Sequence, residues 1–94
     1  MPQDKARPKV FVDNDRVRVT EWRFAPGAAI GHHRHEFDYV VVPLSTGKLL
    51  IRDSKGERHN DLLTGKPYFR EAGVEHEVTN ATDGEFAFIE IEVK

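Results

Sequence analysis

The chain has 94 residues, of which 38% are hydrophobic and 32% are charged, and its formal net charge is −2, a composition typical of one small soluble globular domain. The absence of cysteine excludes disulfides, thiolate zinc sites and cysteine nucleophiles, and the interspersed charges make nucleic acid an unexpected partner. No apolar run approaches the roughly 20 residues of a membrane span, and the N-terminus lacks the apolar stretch of a secretory signal, so no membrane partner is expected and the expected location is the cytoplasm.

From residue 10 onward, apolar and polar residues follow the pattern of short β-strands separated by turns. Glycine, proline, asparagine and aspartate mark the turns. The segments expected to form strands are 10–12, 16–24, 37–44, 48–53, 57–63, 66–69, 74–80 and 85–93, with the histidine-rich segment before residue 37 as a ninth. No segment repeats apolar residues at spacings of three and four, so no amphipathic helix is expected.

Short, evenly spaced strands of this kind predict an all-β sandwich or barrel. Residues 1–9 are expected to form an N-terminal tail, either mobile or added as an edge strand to a neighbour, and residues 10–94 the barrel domain. Because a chain this short buries a smaller fraction of its surface than a larger domain would, we expect a homodimer in which one edge strand is shared or packed.

Two histidines two residues apart, His33 and His35, present both imidazoles on one face of a β-strand. His76 lies in a second segment, and if its strand lies beside the first, the three imidazoles can converge on one metal ion. The alternative is a barrel in which the three histidines only hydrogen-bond. Alternation sends His32 to the opposite face, and His59 is expected at the surface.

Two glycine-bounded segments resemble the two sequence motifs of the cupin superfamily. The first motif falls on Gly27, His33, His35, Tyr39 and Gly47, and the second on Gly65, Glu71, Gly73, His76 and Asn80. Residues 22–27 and 38–44 further resemble the small bacterial cupins related to the β-alanine degradation protein. The resemblance implies a single cupin-type β-barrel, which is a double-sheet jelly roll.

The chain departs from the motifs at two positions. Tyr39 stands where cupins usually carry a glutamate ligand, and Glu71 stands where the second motif has proline. The resemblance then implies a divalent metal ion held by the three motif histidines, and leaves the fourth ligand open between Tyr39 and Asp38. Three neutral imidazoles suit zinc, iron, nickel or copper better than manganese.

The resemblance implies a metal-binding cupin that acts on a small organic acid or related metabolite. Tyr39 would contact the substrate and donate or relay a proton. Arg70 could bind a substrate carboxylate bidentately, although an ion pair with Glu71 or Glu36 is the alternative. Iron would permit a dioxygenase, whereas zinc or nickel fits an isomerase or hydrolase-like reaction. The alternative function is a non-catalytic module that binds or senses a small ligand.

The remaining expectations concern the core and the surface. Most of the aromatic set Trp22, Phe24, Phe69, Phe86 and Phe88 is expected in the core. Arg34 is expected to point outward. Glu90 and Glu92 share one face of the last strand, and that face is expected to be solvated. The alternative is that these carboxylates contact and orient the metal-binding histidines.

Overall fold

The computed structural model describes residues 4–94, which form β-strands joined by turns. The strands are β1 (Arg7–Asp13), β2 (Val17–Phe24), β3 (Ala29–Arg34), β4 (Asp38–Pro43), β5 (Gly47–Asp53), β6 (Gly56–Leu62), β7 (Tyr68–Arg70), β8 (Glu75–Asn80) and β9 (Phe86–Val93). All named strands pair antiparallel, in a five-stranded sheet of order β1-β2-β9-β4-β7 and a four-stranded sheet of order β3-β8-β5-β6. The predicted all-β, two-sheet architecture is confirmed. Within residues 4–94, no helix is long and apolar enough to cross a membrane.

The hydrophobic core lies between the two sheets and is densest around three phenylalanines. Phe24 and Phe86 are fully buried, and Phe88 packs within 5.5 Å of Phe24, measured between ring centroids. These residues were expected in the core, and Trp22 packs partly buried against it. Phe69, by contrast, is exposed, because it lies on the outer side of β7 at the edge of its sheet.

The segment expected to be a tail instead connects the two sheets. Ala6 donates a backbone hydrogen bond to the Ala29 carbonyl, and the Ala29 amide donates to the Asp4 carbonyl, both at 2.9 Å. Residues 7–9 then continue into β1, which pairs with β2 in the other sheet. Residues 1–3 of the predicted tail lie outside the described part of the chain.

The outer face of the five-stranded sheet carries an apolar row that crosses every strand. Val12 pairs with Val19, Val19 with Ile91, Ile91 with Val40, and Val40 with Phe69. Residues paired directly across antiparallel strands share a face, so these five side chains form one continuous strip, here called the outer row. Val12 and Phe69 at its ends are exposed, and the three residues between them are half-buried.

Candidate metal centre

A β-bulge in β3 determines which histidines face the interior. Ile30 pairs with Val78 and His33 pairs with His76, so β3 carries one residue more than β8 over this stretch. The extra residue brings Ile30 and His33 to the same inner face, which uninterrupted alternation would not do. The bulge therefore turns the His33 imidazole toward the space between the sheets.

The neighbouring charged side chains point outward as expected. His32 is exposed, and its Nε2 lies 2.5 Å from a carboxylate oxygen of Glu75. Arg34 and His59 are exposed as well. None of these three belongs to the histidine cluster described next, which agrees with the prediction from alternation.

The side chains of His33, His35 and His76 converge through their Nε2 atoms. His33 Nε2 lies 3.0 Å from His35 Nε2, which lies 3.2 Å from His76 Nε2. Metal–imidazole bonds of about 2.1 Å place neighbouring ligand atoms about 3 Å apart when their bonds are perpendicular. Both separations therefore match neighbouring ligands of a single ion, and within residues 4–94 the three histidines, whose ligand atoms all lie within 4.8 Å of one another, form the group that could hold one.

The hydrogen bond of His33 fixes which of its nitrogens is free. His33 Nδ1 lies 2.7 Å from the Gly31 carbonyl, to which it donates, so the Nε2 lone pair faces the other two rings. His35 Nε2 contacts the Nε2 atoms of both His33 and His76, and a single proton on His35 Nε2 can form a hydrogen bond to only one of them. A cation at the centre satisfies all three lone pairs, so the residues fit a metal ion.

Both buried histidines are poised as neutral ligands. Burial, with a smaller contribution from the His33 imidazole, lowers the pKa of His35 to about 4. Burial, followed by the other two imidazoles, lowers the pKa of His76 to about 4. Because a metal ligand must be deprotonated, these shifts remove the competition from protons near neutral pH.

Of the two residues considered for a fourth ligand, Tyr39 lies on the inner face. Its ring stacks on the His35 imidazole, with centroids 3.9 Å apart and planes 20° from parallel. Burial, and then the charge of Glu90, raise the pKa of the Tyr39 hydroxyl, so it stays protonated. Asp38 lies on the exposed side, and its carboxylate accepts a 2.8 Å hydrogen bond from the Ala72 amide.

Two spaces that share lining residues adjoin the histidines. A small cavity of about 30 Å³, here called the inner chamber, is lined by the three histidines, Tyr39, Glu90 and apolar side chains from both sheets. A larger cleft of about 400 Å³, the vestibule, opens to solvent and shares His33, His35 and Glu90 with the inner chamber.

Glu90 and Glu92 correct the expectation of a solvated face. Each is only 7% exposed, because they continue the inward positions of Phe86 and Phe88 along β9. The parity shared with Phe86 and Phe88 points inward, but Ile89 and Ile91 give an equal apolar signal for the other face. Glu92 accepts two hydrogen bonds from the Arg18 guanidinium, each 2.8 Å long. Burial, and then the charge of Glu92, raise the pKa of Glu90 to about 7.

Arg70 lies on β7, away from both spaces. Its guanidinium sits over the Tyr68 ring, 4.5 Å from the centroid. It forms no ion pair within residues 4–94, so the alternative of a salt bridge with Glu71 or Glu36 is wrong for this part of the chain. Two other arginines, Arg18 and Arg34, line the vestibule, and Arg18, which the sequence pattern did not identify, binds Glu92 there.

No protein-family model matches the chain. The chain is 58% identical over 90 residues to the beta-alanine degradation protein BauB of Pseudomonas aeruginosa. That match covers 96% of this chain and 95% of the relative.

Solved structures show the same fold. A cupin domain from Bordetella pertussis Tohama I superposes with a TM-score of 0.98 at 52% identity, covering 100% of this chain and 98% of that one. A cupin superfamily protein from Desulfitobacterium hafniense DCB-2 superposes with a TM-score of 0.74 at 19% identity, covering 99% of this chain and 81% of that one. The second likeness concerns the fold alone.

Proposed function

This chain belongs to the cupin superfamily, and on that basis we propose that it binds one divalent metal ion and acts there on a small organic acid or related metabolite. The observation that carries the proposal is the convergence of His33, His35 and His76 within 4.8 Å of one another. The relative from P. aeruginosa is a beta-alanine degradation protein, which supports a small metabolite as the substrate.

The donor set favours zinc, iron or nickel over manganese, because three imidazoles are softer ligands than carboxylates. Three protein ligands leave open positions for a substrate. When bound, such an ion supplies Lewis-acid chemistry or, in the case of iron, chemistry with oxygen. The reaction class is correspondingly a dioxygenase with iron and an isomerase or hydrolase-like enzyme with zinc or nickel.

Tyr39 and Arg70 are the residues proposed to act on the substrate. The Tyr39 hydroxyl makes no hydrogen bond within residues 4–94 and keeps its proton, so it can donate one to a substrate oxygen. Arg70 pairs with Tyr39 across β4 and β7 but lines neither space, so its proposed role is to bind a substrate carboxylate that extends beyond them at this end of the sheet. The apolar walls of the inner chamber would exclude bulk water from the reaction.

A non-catalytic module that binds or senses a small ligand is the second candidate. The inner chamber measures about 30 Å³, which holds an ion or a water but no organic substrate. A ligand would then remain in the vestibule, in contact with the ion and without a closed reaction space. This feature favours a binding role for the barrel mouth.

Elemental analysis of untagged protein, beside a His76→Ala variant, tests the metal site. Near one metal per chain in the parent, and its loss in the variant, would support the proposal. No metal in the parent, even after reconstitution with iron, zinc, nickel and manganese, would overturn it.

Turnover and binding together separate the two candidate functions. Tyr39→Phe keeps the ring that stacks on His35 and removes only the hydroxyl. An enzyme should lose turnover of small organic acids in this variant while still binding them. A binding module should bind a ligand and turn over none in either form.

We also propose that the chain forms a homodimer in which a second copy covers the outer row. An apolar strip that crosses all five strands is a common mark of a protein interface. The partner would cover the exposed ends of the row and the neighbouring edge strand β1, all of whose residues are exposed.

A further inference from the structure

The proposed metal site leaves a charge uncompensated. The three imidazoles are neutral ligands, so an ion with two positive charges would keep that charge in a small space between the two sheets. A buried charge is costly unless an opposite charge or sufficient hydrogen bonds accompany it. The walls of the inner chamber should therefore supply a negative group.

Glu90 is the only carboxyl residue that lines the inner chamber in the described part of the chain. It lies on β9 of the five-stranded sheet, whereas His33 and His76 lie on β3 and β8 of the other sheet. Glu90 thus faces the histidines across the space between the sheets.

Other candidates for the negative charge are already engaged or neutral. Glu92 is bound by the Arg18 guanidinium through two hydrogen bonds, which matches its charge. Tyr39, at the position of the usual glutamate ligand, carries a phenol in place of a carboxylate and stacks on the His35 ring. Asp38 accepts a hydrogen bond on the exposed side of β4.

The Glu90 carboxyl makes no hydrogen bond or ion pair within residues 4–94 and is 7% exposed. Because Glu90 lines both the inner chamber and the vestibule, its carboxyl is accessible to a partner that the chain itself does not provide. A cation at the three histidines would lie across the inner chamber from this carboxyl.

We propose that Glu90 supplies the negative charge that a divalent ion at the three histidines requires, in place of the glutamate that Tyr39 replaces. This inference rests on the proposed metal site. Because carboxylates favour hard ions, Glu90 should raise the affinity for Mn²⁺ more than that for Zn²⁺. The three histidines alone therefore give an incomplete guide to the metal preference.

Chelator competition at about pH 8 with Zn²⁺ and with Mn²⁺ tests the role of Glu90, using wild type, Glu90→Gln and the control Glu36→Gln. Glu36 is an exposed carboxyl of the vestibule, so its variant removes the same charge outside the inner chamber. We expect Glu90→Gln to weaken binding by about 10–100-fold, more for Mn²⁺ than for Zn²⁺. Glu36→Gln should change either affinity by less than about twofold, because solvent screens an exposed charge.

Equal affinities of Glu90→Gln and Glu36→Gln, with wild type still binding metal, would overturn this inference and leave the proposed metal site intact. Absence of metal binding in wild type would overturn both. If Glu90→Gln does not fold, Glu90→Met provides an apolar replacement of similar size, with the same expected loss of metal affinity. Thermal unfolding of the metal-free variants verifies folding before the competition is measured.

Discussion

Arg18 and Glu92 are direct cross-strand partners on β2 and β9, and the guanidinium donates hydrogen bonds of 2.8 Å from Nε and Nη2 to the two carboxylate oxygens. The hydrogen bonds to Glu92 raise the pKa of Arg18, which stays charged. The pair lines the vestibule beside the histidines, where Glu92 is one of three acidic residues, with Glu36 and Glu90. The charge of Glu92 is therefore matched by Arg18, whereas Glu90 has no such partner within residues 4–94.

Replacement of Arg18 by methionine should lower the free energy of unfolding by about 1–3 kcal/mol, because it leaves the nearly buried Glu92 carboxylate without its partner. Urea denaturation measures the change. The matched control is Arg58→Met, which breaks an exposed pair with Asp53 and should destabilise the protein clearly less than Arg18→Met, because solvent screens the pair. Equal losses in the two variants would contradict the assigned importance of the Arg18 pair.

Acidification should destabilise the metal-free protein through His35 and His76. Their pKa values are lowered to about 4, whereas a histidine in the unfolded chain titrates near about 6.5. Between these values the unfolded state binds more protons, so the stability they contribute is present above about pH 6.5 and is lost as the pH falls through about 4. Unfolding of chelator-treated protein across this range measures the loss, which should become smaller in a His76→Gln variant.

Glu90 should act on stability in the opposite direction. Its pKa is raised to about 7, above the value of about 4.3 for an unfolded glutamate, so its favourable contribution is present at low pH and is lost as the pH rises through about 7. Glu90→Gln should therefore stabilise the metal-free protein more at about pH 8 than at about pH 5. If the free energy of unfolding of the variant and of wild type changed with pH in the same way, the pKa of Glu90 would not be raised.

Substitution of Gly47 by alanine should destabilise the core. A Cβ at this position would lie 2.7 Å from Phe86 Cδ2 and 2.7 Å from Thr82 Oγ1, and Phe86 is fully buried with little room to move. We expect a loss of about 1–3 kcal/mol in urea denaturation. Gly84→Ala, whose Cβ meets no atom within 4 Å, should change stability by less than about 0.5 kcal/mol.

Ile91→Glu should convert the proposed homodimer to a monomer. Ile91 lies at the centre of the outer row, where a carboxylate would be buried against the second copy. Size-exclusion chromatography with light scattering reports the mass. Leu50→Glu, at a half-buried position on the outer face of the other sheet, should leave the dimer intact. A monomeric wild type would contradict the homodimer itself.

The local sequence pattern was sufficient to predict where the strands lie and which three histidines come together, because alternation and turn residues are properties of neighbouring positions. The face of Glu90 was harder to predict. In β9, Ile89 and Ile91 on one parity are as apolar as Phe86 and Phe88 on the other, so the pattern alone did not identify the inner face. The choice depends on which side the four-stranded sheet covers, and this is a long-range property.

The bulge in β3 and the route of the N-terminal segment also depend on tertiary contacts. The extra residue between Ile30 and His33 appears only when β3 is aligned with β8. The residues from Asp4 to Ala6 are polar or small, and they become ordered by pairing with Ala29, more than 20 residues away. Neither feature has a periodic signal in its own sequence.

The position of β9 between β2 and β4 has a consequence for folding. Both neighbours precede β9 in the chain, yet they cannot join into one sheet until residues 86–93 dock between them. Glu90 lies on that same strand, so the step that completes the five-stranded sheet also brings its carboxyl to face the histidines of the other sheet.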